Sequence, residues 1–273
     1  MEQTKLDLIK ANGKSYKLKI GELIRFETEV SHYYFLDGQY LPGVTTILQE
    51  ASPTPYGLKV FWQNNTKEEA DAIFESAGDF GSRMHEAFEL LLQGEELDLL
   101  NVYPTAKEKR TLLTFQDWFT CFKPTEFQPE QALASKKYQY AGTLDFVGMI
   151  NGERWLIDFK TSNAIHMSHQ LQVLAYKQAY EESYGIKIDR VGVVRFGTSH
   201  KGNGVPKEGK LKETGKGWEF REVKDYKIEH FMNIYNTYLN VLHGGVIPEP
   251  PEIAIYPEKL KLLEEIKKEG GVK

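Results

Sequence analysis

One cysteine, Cys121, stands in a chain of 273 residues. That scarcity excludes an internal disulfide framework, a cysteine-only zinc site and a four-cysteine iron-sulfur cluster. No stretch approaches the roughly 18 uncharged apolar residues that a membrane-spanning helix needs. The opening stretch MEQTKLDLIKANGKSYKLKI has neither the apolar segment of a secretory leader nor an arginine-rich amphipathic pattern. We therefore expect a cytoplasmic, virion-associated or similarly reducing setting, with no membrane partner. Positive charge is not in excess either: 34 Lys and Arg face 39 Asp and Glu, a net charge of −5. This argues against histone-like avidity for nucleic acid and leaves room only for a local basic groove. Internal repeats and long low-complexity tracts are missing, so the chain does not read as a solenoid or a linker.

What is present suits a full-sized α/β core, with 41% hydrophobic and 27% charged residues. We expect a single domain over 1–273, with an N-terminal elaboration at 1–60, a core at 61–245 and a tail at 246–273. Short strands are predicted at SYKLKI, ELIRFET, HYYFL and QYLPGV, the last two joined by the hairpin signal Asp37-Gly38. Helices are expected near 45–49 and 58–63, over 67–94 as one long or glycine-broken helix, and from Pro104 to about Phe122. In the last of these Phe115, Trp118 and Phe119 form the buried stripe, and Cys121 is expected in the core. Strands fill 130–160. Ser168 is a candidate N-cap for a helix ending at Gly185. The strand RVGVVRFG, a glycine- and lysine-rich loop at 201–217, a helix over 225–243 and a short charged tail helix complete the pattern.

The most informative stretch is GTLDFVGMINGERWLIDFKTS, 142–162. Asn151-Gly152 is a strong hairpin signal, because a type I′ turn needs positive φ at both central residues. With that two-residue loop Ile150 faces Glu153, Val147 faces Leu156, and Asp145 falls opposite Asp158. Strand alternation then puts Leu144, Phe146, Trp155, Ile157 and Phe159 on one face and Thr143, Asp145, Val147, Asp158 and Lys160 on the other. Facing carboxylates have Cβ atoms roughly 4.5–5.5 Å apart and destabilise a sheet unless they share a proton, find cations or bind a metal. One lysine does not saturate four carboxylate oxygens, whereas a hard divalent cation does. An Asp-Lys ion pair at a solvated strand end is the plainer alternative for the same residues.

These residues resemble the PD-(D/E)XK nuclease superfamily, in particular its RecB-like exonuclease branch. The core motif stands as Gly142-Thr143-Leu144-Asp145, then Asp158-Phe159-Lys160, followed by Thr161-Ser162. Upstream, Gly81-Ser82-Arg83-Met84-His85 is similar to the branch's glycine-to-histidine helix motif, and Gln172-Val173-Leu174-Ala175-Tyr176 to its downstream QxxxY. LPGVTTIL at 41–48 and Trp62 resemble the start of phage and mitochondrial genome maintenance exonucleases. The resemblance covers roughly 40–240. Leu144 replaces the proline of the nominal motif, and the cysteines that hold an iron-sulfur cluster in some relatives are missing.

The resemblance implies a restriction-endonuclease-like core, a central mixed sheet flanked by helices, with an N-terminal β/helical elaboration. It implies an exonuclease hydrolysing phosphodiesters at DNA ends or in single strands, in recombination, repair or processing, encoded by a bacterium or phage. Mg²⁺ or Mn²⁺ is the implied cofactor, held by Asp145, Asp158, the backbone carbonyl of Phe159 and His85, with Glu130 a further candidate. Lys160 would orient a water and stabilise charge on the phosphate, with Gln172 and Tyr176 acting together from one helix face. Ser82, Arg83, Thr161, Ser162, Lys210 and Lys212 are candidate DNA contacts. Trp218 offers a stacking surface beside the lysines at 201, 207, 210, 212 and 216. The implied partner is DNA with free ends or single strands, and a recombination or replication protein is a compatible second partner.

Read alone, several of these residues have plainer roles: His85 as a helix histidine beside Met84 and Phe88, Gln172 and Tyr176 as a polar helix edge, the lysine-rich segment as a solvated loop. Two other functions compete. One is a nucleic-acid-binding or recombination accessory protein on the same fold without turnover, and the other a hydrolase of another phosphate ester on an unrelated α/β fold. The near-match to a phosphate-binding P-loop at Gly204 to Lys210 is rejected, because Leu211 replaces the metal-binding Ser or Thr and no apolar helix follows.

Overall fold

The computed structural model of the protein describes residues 9–28, 31–197 and 217–250. An antiparallel meander comes first: β1 (Lys14–Leu18), β2 (Gly21–Glu27), β3 (His32–Leu36) and β4 (Gln39–Leu41), paired in that order. Asp37 and Gly38 turn β3 into β4 with φ of 50° and 84°, the positive values that the hairpin signal anticipates. Four helices follow: α1 (Val44–Ala51), α2 (Tyr56–Asn64), α3 (Lys67–Leu92) and α4 (Ala106–Phe122). Thr66 with Glu69, and Thr105 with Glu108, form capping boxes that set where α3 and α4 begin.

The second sheet has the order β5 (Thr125–Ser135), β6 (Tyr140–Ile150), β7 (Glu153–Lys160), β8 (Arg190–Arg195), β9 (Glu219–Glu222). Its neighbours are antiparallel except β7 and β8, which are parallel and joined through α5 (Met167–Tyr184), as a parallel pair requires a crossover. The last helix, α6 (Ile228–Asn236), runs into a π-helical turn at Thr237–Leu242. The chain is thus α/β, two sheets flanked by helices, and the second sheet is mixed.

Strand β7 is buried on both faces, so it is central. On one side Leu156, Val191 and Val193 pack with Val173 and Tyr176 of α5 and Phe231 of α6. On the other, α3 and α4 bring Phe88, Phe115 and Trp118 against Phe146, Phe159 and Phe196. Phe88 and Phe115 stack with centroids 4.4 Å apart, and the Trp118 ring meets Phe159 edge-on at 5.3 Å. The N-terminal meander lays Leu23, Tyr34, Leu36 and Leu41 against Ala132, Ala134 and Ala141 of β5 and β6. Those small side chains let the sheets approach closely.

Helix α3 is continuous through Gly78 and Gly81, the first of the two readings of 67–94. Several expectations need correcting. His166, not Ser168, is the N-cap residue of α5. Cys121 is exposed, because Phe122 takes the next place on the stripe and packs on Trp118, Trp218 and Phe220. The final helix starts at 228 and not at 225. Leu144 does not share a face with Phe146: it packs with Val147 and Leu156, so strand alternation is interrupted at Asp145. Trp218 is no free stacking surface. It is buried against Phe122 of α4, and its Nε1 donates to Asp117 Oδ2 of the same helix at 2.8 Å, the partner a buried indole N–H needs. The lysines at 201, 207, 210, 212 and 216, and the tail helix, lie outside the described residues. Among the described residues no helix is long and apolar enough to cross a membrane.

Candidate functional site

The β6–β7 hairpin turns at Asn151 and Gly152, with φ of 53° and 79°. Its ladder runs from Ile150↔Glu153 to Phe146↔Ile157 in the register read from the sequence. There the pairing stops, one step short of Asp145 and Asp158. Beyond it the Phe159 amide donates to Asp145 Oδ2 at 2.7 Å. On the other edge the β5–β6 pairing skips Glu130 and Asp145, and Glu130 has a φ of 26°. The aspartate therefore sits where both ladders loosen, and its side chain takes up backbone hydrogen bonding.

Both aspartates line one cleft of about 1230 Å³, bounded by the N-terminal meander, α3, the central strands and α5. His85, Lys160, Gln172, Tyr176, Glu130, Ser82, Thr161 and Ser162 line it too. His85 reaches across from α3 and its Nδ1 lies 2.9 Å from Asp145 Oδ1. Lys160 Nζ lies 2.7 Å from Asp158 Oδ2, an off-axis ion contact that leaves that buried oxygen without an aligned hydrogen-bond donor among the described residues. Gln172 Nε2 donates to Asp158 Oδ1 at 3.1 Å and to the Tyr176 hydroxyl at 2.9 Å. The four-residue spacing on α5 produces that pairing.

Burial dominates the electrostatics, and the charge partners decide its outcome. Asp158 is pushed up to about 6, first by burial and then by the neighbouring Asp145, against the pull of Lys160. Asp145 is less enclosed, its side chain 20% exposed against 3% for Asp158, and although burial pushes it up, the His85 charge and hydrogen bond, Lys160 and the Phe159 amide hold it below the usual carboxylate value. Burial disfavours the His85 imidazolium, but the Asp145 carboxylate outweighs it and raises the imidazole pKa. Two enclosed carboxylates whose environments push them apart are a common mark of a functional site.

Tyr176 also fixes the backbone. A Cβ built on Gly142 would lie 2.5 Å from the Tyr176 ring, and that ring is buried and cannot swing away. Gly142→Ala is therefore expected to destabilise the protein by about 1–3 kcal/mol. Chemical denaturation compared with the wild type checks this; an unchanged midpoint would show that β6 and α5 can separate freely.

The other candidates are dispersed. Glu130 reaches the cleft, but its carboxylate is engaged by Arg25 Nη1 at 2.7 Å, with Lys14 at 3.7 Å. Arg83 turns away from the cleft. It pairs with Glu108 at 2.8 Å, donates to the Val102 carbonyl and lies over the Tyr103 ring. Lys210 and Lys212 are outside the described residues. The cleft also holds residues that the sequence reading missed: Arg25, Tyr34, Phe80 and Lys107. The arginine inside the apolar strand ELIRFE was a legible signal; for Lys107, in a charged helix start, there was none.

The donor set fits a hard or borderline divalent ion, two carboxylates and an imidazole with one buried carboxylate oxygen lacking an aligned donor. Among the described residues no three His, Cys, Asp or Glu side chains stand at metal-ligating spacing. In their present rotamers His85 is drawn to Asp145 and Asp158 to Lys160.

No protein family matches this sequence, and no curated protein does. Among solved structures, the crystal structure of SSO0001 is similar at a TM-score of 0.32 and 12% identity, over 60% of this chain and 74% of that chain. A likeness that slight carries no argument about fold or chemistry.

Proposed function

We propose that this protein is a Mg²⁺- or Mn²⁺-dependent deoxyribonuclease of the PD-(D/E)XK superfamily, RecB-like branch, hydrolysing phosphodiester bonds at DNA ends or in single strands. One observation carries the reading: Asp145, Asp158, Lys160, Gln172, Tyr176 and His85, from four separate elements, line a single cleft. Clustered buried charges cost stability, and their convergence on a cavity is more readily explained by chemistry than by folding.

Asp145, Asp158, the Phe159 carbonyl and His85 would hold the divalent ion. When bound, it supplies Lewis-acid polarisation of a phosphoryl oxygen and makes a nucleophile available at neutral pH. The rest falls to the chain's own groups. The Lys160 ammonium, held beside Asp158, presents protons to the phosphoryl oxygens or the incoming water and offsets negative charge as phosphorus becomes five-coordinate. Gln172 keeps the Asp158 carboxylate from rotating, and Tyr176 accepts from the Gln172 amide so that it stays aligned. Hydrolysis adds water across one P–O bond, leaving a phosphate monoester and a sugar hydroxyl.

The purified protein with Mg²⁺ should degrade linear single strands or linear duplex and spare covalently closed circles, as resolved on gels. Rapid cutting of closed circles would make it an endonuclease. DNA binding without cleavage of any substrate would return it to the non-catalytic accessory class.

A further inference from the structure

The cleft is poor in available positive charge. Among the described residues its lining holds three Lys or Arg, namely Arg25, Lys107 and Lys160, against Glu27, Glu86, Glu89, Glu130, Asp145 and Asp158. Arg25 is engaged by Glu27 and Glu130, and Lys160 by Asp158. Lys107 forms no ion pair among the described residues. Its ammonium instead rests 3.6 Å from the centroid of the Phe80 ring, a cation-π contact that holds this exposed side chain at the edge of the cleft.

Its place relative to the reacting centre follows through a short chain of contacts. Thr161 is the residue after Lys160, and its hydroxyl lies 3.6 Å from where a Cβ would stand on Gly81 of α3. Phe80 precedes Gly81, and Lys107 of α4 covers Phe80. His85 is four residues beyond Gly81 on the same helix face. The cleft therefore runs from the carboxylates past Thr161 and Gly81 to the Phe80–Lys107 pair, beside the centre but not in it.

We propose that Lys107 binds a phosphate of the nucleic-acid strand flanking the one that is cut, and that Phe80 is a positioning residue that aims its ammonium. This assignment rests on the nuclease reading above. A polyanion entering an acid-rich cleft needs a cation that is not already neutralised, and Lys107 meets that need. Distance from the reacting bond makes it a binding group, so its loss acts on KM and affinity more than on kcat.

The test is binding of a fluorescein-labelled single-stranded oligonucleotide to the full chain, with Ca²⁺ replacing Mg²⁺ to hold off cleavage, across a range of salt concentrations. Lys107→Gln should weaken binding several-fold and make the plot of log K against log salt shallower by about 0.7, the loss of one single-strand phosphate contact. Lys107→Arg should retain both. Phe80→Leu keeps an apolar side chain but removes the ring, and should weaken binding while Phe80→Tyr restores it. Lys123→Gln removes the same charge at the far end of α4 and should change nothing. Equal binding and slope for Lys107→Gln and wild type would overturn the proposal alone, as would an equal loss in Lys123→Gln. A wild type that neither binds nor cuts DNA would overturn it together with the nuclease reading.

Discussion

Asp158→Asn is expected to lower Mg²⁺-dependent DNA cleavage by about a thousandfold or more, on the order of 4 kcal/mol of transition-state stabilisation, with no loss of thermal stability in metal-free buffer. The amide cannot serve as an anionic ligand, so the activity falls. Stability is a separate matter. The Asp158 carboxyl, 2% exposed, titrates near 6 because burial and Asp145 disfavour its charge. An acid whose folded pKa exceeds its unfolded value, near 4, stabilises less and less as pH rises between the two, and contributes unfavourably above them. The neutral amide escapes that cost and can still accept from Gln172. Lys160→Ala makes the contrast: cleavage should be lost comparably, but Asp158 is left enclosed without its cation and the protein should melt earlier. Melting curves in EDTA and cleavage rates with Mg²⁺ decide both. Undiminished cleavage by either variant would rule out the assigned roles, and a large drop in melting temperature for Asp158→Asn would make the Asp-Lys pair a structural one.

The second large effect lies beneath the site. Trp118 is fully buried, and its ring lies against Phe115, Phe146, Phe159 and Phe196. Trp118→Ala should cost about 3–5 kcal/mol, transfer and cavity terms together, and lower the melting temperature by roughly 10 °C for a chain of this size. Phe159 sits between Asp158 and Lys160, so the loosened core should also depress cleavage well below the melting point. Trp118→Phe keeps most of the packing and removes a buried indole nitrogen that has no hydrogen-bond partner among the described residues, so its cost should be much smaller. Differential scanning calorimetry of the two variants checks the ranking. A Trp118→Ala protein that melts within a degree or two of wild type would mean the aromatic cluster collapses onto the gap.

The hairpin register was legible because Asn151-Gly152 dictates its own turn and every later pairing follows by counting. Gln172 and Tyr176 were legible as a pair because four residues make one helix face. The break at Asp145 was not. It depends on a carboxylate taking the Phe159 amide and on a ladder to β5 that skips Glu130, neither of which alternation encodes. That is why Leu144 was assigned to the wrong face. His85 could be placed on a helix, but its reach to Asp145, 60 residues away in sequence, follows from how α3 packs over the sheet. Arg83 and Trp218 show the opposite error: both looked available, and both are engaged by partners, Glu108 and Asp117, supplied by α4.

By itself, then, the amino-acid order determined the elements, the central hairpin and the spacing of its charged groups, since these rest on turn geometry and on the periods of strand and helix. Only the tertiary structure decided which of those charges share a cleft, which are neutralised and which cation lining it is left without an ion pair among the described residues. The physical reason is range. Backbone preferences act over a few residues, whereas a charge is balanced by whatever packing brings within a few ångströms, and the groups that balance these come from strands and helices distant along the chain.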